Sequence, residues 1–358
     1  MHAHRTGRTS VAVVLVLLLA GLLAGCGSSS DGDTAAASAP TELCAPPGVE
    51  SASSVPTNFD AAAAAASEDR YTTPSVTPLD RIDTAQLGLI TPGTLTVGTL
   101  SDAPPSICVD GSGTYTGYDN ELLKAVAAKL GLQVTFSGTE FSGLLAQVAG
   151  RRFDVGSSSI TTTDERRNTV GFTNGYDFGY FSLVAKAGGP ITAFEDLGPT
   201  TRIGVVQGTV QDDYVVNTLG LDPVKFPDYN TAYANLRTGQ IDAWVAPSQQ
   251  AEGLVKPEDG TAITQNTFSL NNFVGWAVAR DNQPLIDALN SGLDAVIADG
   301  TWAQLYSDWV PRELPEGFKP GSKAAPQPEL PDFAAIAAEN DAAAPAAQAV
   351  APKSTLQQ

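Results

Sequence analysis

A chain of 358 residues has room for about two domains plus tails. Its formal charge of −19, without clustered Lys or Arg, argues against nucleic acid as a partner and against adsorption to anionic membranes. Its only histidines, His2 and His4, lie ahead of an apolar leader and are lost with it, which excludes Ser–His catalysis and His-ligated metal from the mature chain.

Arg5 and Arg8 precede an apolar run over residues 11–24, too short to cross ~30 Å of hydrocarbon, so residues 1–25 read as a secretion signal. Its loss takes the charge from −19 to −21. The sequence LAGC at 23–26 resembles the lipobox of bacterial lipoproteins, in which the cysteine carries a lipid; Cys26 is therefore expected to anchor the chain outside the cytoplasm. Cys44 and Cys108 remain, in a compartment where disulfides persist, and are candidates to pair; the alternative is two free thiols. Neither has zinc-site spacing, and no metal or cofactor is expected. Residues 26–78 are rich in Ser, Ala and Pro and read as a flexible tether, in which the alanines at 61–66 form at most a helical turn or two with no partner face.

From there the pattern alternates. Residues 95–100 are an apolar β-branched strand. Leu123, Val126 and Leu130 recur at helical spacing with Gly131 as stop, residues 134–136 form a strand, Phe141, Leu144, Leu145 and Val148 stripe a second helix, and Val155 opens a third strand. This βαβαβ run predicts a parallel sheet covered by helices, with ligands at the carboxyl ends of its strands. After residues 183–185 and the Gly188, Gly189, Pro190 break, a second unit repeats the grammar: strands at 202–206, 224–226 and 243–245, helices at 210–219 and 232–238. A strand at 275–279, a helix striped by Leu285, Leu289 and Leu293, and a helix at 302–309 read as a return to the first unit.

The fold class is therefore α/β, two Rossmann-like lobes joined by a two-strand hinge. Lobe 1 is expected at 79–187, lobe 2 at 188–274, a return segment at 275–318 and a disordered tail at 319–358, with crossings near 185–190 and 271–275.

Just past the third strand, SSSITTTDERR at 157–167 combines hydroxyls, a Thr163 cap followed by Asp164 and Glu165, and Arg166. A guanidinium fork beside free amides and hydroxyls suits a carboxylate. Read alone, the same stretch is equally a Ser/Thr turn whose arginine pairs on its own surface.

Seven segments in order carry a wider resemblance: GTLSDAPP, TGYDNELLKAVAAKLG (116–131), TEFSGLLAQVAGRRFDVG (139–156), SSSITTTDERRNTVGFTNGY (157–176), VVQGT (205–209), RTGQIDAWV (237–245) and DGTWAQLYSDWV (299–310). Over about residues 93–310 the chain resembles the extracellular solute-binding proteins of ABC importers for polar amino acids, of the glutamine and lysine/arginine/ornithine type, which implies the periplasmic-binding-protein type II fold. The resemblance implies that Arg166 grips a ligand carboxylate, Thr161 contacts the ligand backbone, Ser159 offers a main-chain N–H, Phe141 stacks on the ligand side chain, and the Thr209 and Val210 amides close from the second lobe. Asp119 is implied to be structural. The implied partners are a small molecule with a carboxylate and a membrane permease, the protein itself being a monomer.

Two departures stand out. The aspartate that pairs with a ligand ammonium, five residues after Asp242 in register, is here Pro247. Near the first strand the usual acid and aromatic become Leu100 and Ala103, with Asp102 two residues away as a substitute. An ammonium buried without a counter-charge costs several kcal/mol. So either Asp102, Glu140, Asp212 or Asp213 supplies the charge, or the ligand lacks a primary ammonium; the second is favoured. The expected function is solute capture for an ABC importer, not catalysis. The alternatives are a dehydratase on the same scaffold (prephenate or arogenate type), which needs an acid in the cleft, and a surface sensor without transport.

Overall fold

The computed structural model describes residues 56–73, 76–268, 273–310, 312, 314–332 and 335. The leader, Cys26, Cys44 and the first part of the tether lie outside these.

Two five-stranded sheets form two lobes. In the first, the spatial order is Gln133–Gly138, Thr94–Thr99, Val155–Gly156, Ala277–Ala279, Val170–Phe172. Thr94–Thr99 runs parallel to both its neighbours, while Ala277–Ala279 is antiparallel to the strands beside it. The helix Tyr118–Lys129 buries Leu122, Leu123 and Val126 against Leu289 and Leu293 of the helix Gln283–Ala298 and Trp302 of the helix Thr301–Trp309. That contact ties the return segment to the first lobe.

The second sheet orders Val224–Phe226, Ile203–Val206, Ala243–Pro247, Phe181–Lys186, Thr261–Thr267. Its first three strands are parallel, and Phe181–Lys186 is antiparallel to both its neighbours. The apolar run at 183–185 thus belongs to the second lobe, and the first crossing is not near 185–190. It lies at Asp177–Phe178, which pairs antiparallel with the return strand Phe273–Val274. A strand buried on both faces fits either sheet from its composition alone, and only its partner Ala243–Pro247 decides which. The helix read at 210–219 is α-helical over Val210–Asp213 and continues as a wider π-turn over Tyr214–Thr218.

The chain ends also differ from expectation where they are described. Asp60 caps the helix Ala61–Tyr71, accepting from the Ala63 N–H at 2.9 Å, and Ala64 and Glu68 are buried. Phe59 packs on Phe178 and Phe268 at 5.7 and 4.7 Å between ring centroids, and Phe318 lies 5.7 Å from Phe178. Asn58 donates to Phe268 O and accepts from Phe268 N. Arg167 stacks over Tyr71 at 3.8 Å, Gly321 N donates to Gly175 O, and Ser322 donates to Asp294. Residues 56–73 and 314–325 are therefore seated over the hinge. Their aromatic rings supply the partner face that an alanine run does not have by itself.

Cys108 lies in a small three-stranded sheet of Asp102–Ala103, Ile107–Val109 and Tyr115–Thr116. It is disulfide-bonded, and its partner cysteine lies outside the described residues.

Candidate ligand cleft

The hydroxyl run begins where Val155–Gly156 leaves the sheet, and most of it is spent on holding itself. Ser158 Oγ accepts from Leu100 N at 3.0 Å, Thr99 Oγ1 donates to Ser157 O at 2.5 Å, and Thr162 Oγ1 donates to Phe273 O at 3.3 Å. Ser159 has φ of +44°, which turns its N–H inward to the buried Asp119 carboxylate. Its Oγ bonds the same carboxylate at 3.1 Å. The main-chain donor expected to reach a ligand is thus engaged by Asp119.

Thr163 Oγ1 accepts from Arg166 N at 3.1 Å, the cap expected there, although the helix behind it is only the short 3-10 turn Arg166–Asn168. This turn aims the Arg166 side chain across the cleft. Nη1 donates to Thr161 O at 2.7 Å in lobe 1, and Nη2 to Gly208 O at 3.1 Å in lobe 2, with the Phe141 ring centroid 5.2 Å from the guanidinium carbon. Among the described residues Arg166 makes no salt bridge. Burial pulls its pKa down to about 10, so it stays charged at neutral pH.

Phe141, Ser159, Thr161 and Arg166 line one cavity together with Thr209 and Val210 of the second lobe. Six of the residues expected at a site therefore meet. Thr209 is a helix cap: its Oγ1 accepts from Asp212 N at 3.2 Å and donates to Val206 O at 2.7 Å. Val210 is the first helical residue, whose N–H has no partner within its own helix.

Asp102 is the exception. It stands behind Tyr229, with Oδ2 accepting from Asn230 N at 3.4 Å, outside the cavity. Burial and then the neighbouring Asp228 push its pKa up to about 7. Its hairpin places it against the start of the second-lobe helix Tyr229–Arg237 instead of at the ligand. Nor does Glu140 line the cavity, and Asp212 and Asp213 lie in the outer groove at its mouth, where Asp212 pairs with Lys225 at 2.8 Å. No acidic side chain lines the cavity among the described residues.

The facing wall starts at Pro247, last residue of its strand, and continues into Ser248 and Gln249 of the helix Ser248–Leu254. Behind it stands a fully buried ion pair, Asp177 with Arg312 at 3.5 Å. Arg312 Nη1 donates to Ser248 Oγ at 2.6 Å, and Gln249 Nε2 donates to Asp177. Sequence reasoning missed Ser248, Gln249, Gln211 and Tyr229. Counting to Pro247 had reached the right wall, but not the residues beyond it. Tyr180 and Phe181 also line the cavity, whereas Trp244 and Tyr176 are core residues, Trp244 against Tyr233 and Tyr176 stacked on Trp276.

Residues 95–312 match the family of bacterial extracellular solute-binding proteins, family 3. The chain belongs to that family. Among its relatives, the L-cystine-binding protein of Escherichia coli (strain K12) is 31% identical over 221 residues, 61% of this chain and 82% of the relative. ABC transporter arginine-binding protein 1 of the same strain is 28% identical, covering 60% of this chain and 90% of its own length. Among solved structures, an ancestral arginine-binding protein bound to arginine superposes with a TM-score of 0.58 at 32% identity, over 61% of this chain and 98% of that one. An ancestral amino acid-binding protein described as a precursor of cyclohexadienyl dehydratase gives 0.56 at 29% identity, over 61% and 95%. With these the fold is the type II periplasmic-binding fold, and solute binding is the activity this family 3 chain shares with its relatives.

Proposed function

We propose that this family 3 member is an extracytoplasmic lipoprotein, anchored through Cys26, that captures a small carboxylate between its lobes and delivers it to an ABC permease. One observation carries the reading: among the described residues Arg166 makes no salt bridge, and its guanidinium bonds to a carbonyl of each lobe across one cavity. Two carbonyl oxygens accept from Nη1 and Nη2 without neutralising the charge, so an incoming carboxylate gains a charged, forked partner on replacing the Gly208 contact. Thr161, Phe141 and the Val210 amide complete the socket. Cys44 is the proposed partner of Cys108, stapling the tether to the first lobe.

The family's amino acids present a carboxylate and an ammonium together. With Pro247 on the facing wall and no acid lining the cavity, the preferred ligand has the carboxylate but no primary ammonium. A dehydratase would need an acid in the cleft, and Asp177, behind the facing wall, is bonded to Gln249 and Arg312. A thermal-shift screen tests the proposal. Small carboxylates should raise the melting temperature by mass action, and the matching amines and alcohols should not. Equal stabilisation by solutes without a carboxylate would refute it.

A further inference from the structure

Ser248 and Gln249 line the cavity side by side, and both are at least nine-tenths buried, 1% and 3% exposed. Their polarity is set from behind. Asp177 accepts from Gln249 Nε2 while pairing with Arg312 and taking the Phe178 N–H at 2.7 Å. Burial raises the Asp177 pKa only to about 6, against the pull of Arg312, so at neutral pH it is a carboxylate and has no proton to give. The Gln249 amide is thereby fixed with its NH2 toward Asp177, and Oε1 has no donor among the described residues. Ser248 is set the opposite way. Its oxygen takes Arg312 Nη1 at 2.6 Å and Tyr180 N at 3.5 Å, which uses both lone pairs and leaves its proton to donate.

We infer that Ser248 and Gln249 are specificity-determining residues that read a neutral amide on the ligand, Gln249 Oε1 accepting the amide N–H and Ser248 O–H donating to the amide carbonyl. This inference rests on carboxylate capture by Arg166 and names the ligand class: a small acid carrying a primary or secondary amide. A fixed acceptor beside a fixed donor matches an amide, whose N–H and C=O are also adjacent. A free ammonium would meet an amide oxygen where it needs a carboxylate, and an ester would leave Oε1 unpaired.

The test is calorimetric titration of the unmodified mature protein with three amide acids, N-acetylglycine, succinamic acid and glutaramic acid, each beside its ester counterpart, acetoxyacetic acid, monomethyl succinate and monomethyl glutarate. In the tightest-binding pair the amide should bind at least about tenfold more tightly than the ester. Gln249→Leu should reduce that ratio to below about threefold. Amide and ester binding equally in every pair overturns the inference and leaves carboxylate capture standing. Binding of none of the six overturns both. Because the ligand comparison uses unmodified protein, a misfolded variant does not decide the outcome.

Discussion

Arg166 sits where two costs oppose each other: burial, which pulls its pKa down to about 10, and the loss of the Gly208 carbonyl bond if the lobes part. Bonding to the Thr161 and Gly208 carbonyls holds the guanidinium in the cleft. The facing wall makes a residue-scale prediction. Pro247→Asp would restore a carboxylate there, and should shift preference from acids without an ammonium toward α-amino acids by at least about tenfold, read by competitive titration. Another concerns protons. Asp102, raised to about 7, and Glu68, raised by burial to about 8, hold protons more tightly folded than unfolded, where carboxyls titrate near ~4. Their contribution is therefore complete below about pH 4 and is lost as pH rises through about 7 to 8. The melting temperature should fall from pH 5 to pH 8, and Asp102→Asn should flatten the slope; a rise over that interval contradicts the assignment.

At the scale of elements, the helices and strands of the βαβ runs were legible, because helical stripes such as Leu123, Val126, Leu130 and the Gly131 stop, with φ of +67°, are local. What was not legible depends on pairing across the chain. The strand Thr261–Thr267 is polar and only partly buried, so it has no apolar signature, and its place beside Phe181–Lys186 exists only through the ladder. The helix Ala61–Tyr71 likewise depends on Phe59, Tyr71 and distant Phe178. Asp102 was misjudged for a related reason: sequence distance from the first strand does not reveal which way the hairpin turns it. Gly117 gives the sharpest element-scale prediction. It starts the helix Tyr118–Lys129 at φ 99°, ψ 164°, and a Cβ there would lie 2.6 Å from Ser106 O. Both the backbone region and the close approach admit only glycine, so Gly117→Ala should cost at least about 2 kcal/mol in denaturant unfolding.

Over the whole molecule, the lobes meet on the cleft side and are strapped on the hinge side. Gly253 of lobe 2 packs so closely on lobe 1 that a Cβ would stand 2.5 Å from Pro104 O. Gly253→Ala should therefore prop the cleft open, weakening ligand affinity by about tenfold or more with little change in unfolding free energy, since neither lobe's core is touched. On the other side, residues 56–73 and 314–325 bridge strands that enter both lobes. These contacts frame the cleft in which Arg166 is proposed to grip a carboxylate. The most direct test is calorimetric titration of Arg166→Ala and Arg166→Lys with the tightest carboxylate from the screen. Both should lose at least about 30-fold in affinity, about 2 kcal/mol, because neither methyl nor ammonium replaces the planar fork. Affinity unchanged in Arg166→Ala would contradict carboxylate capture by this residue.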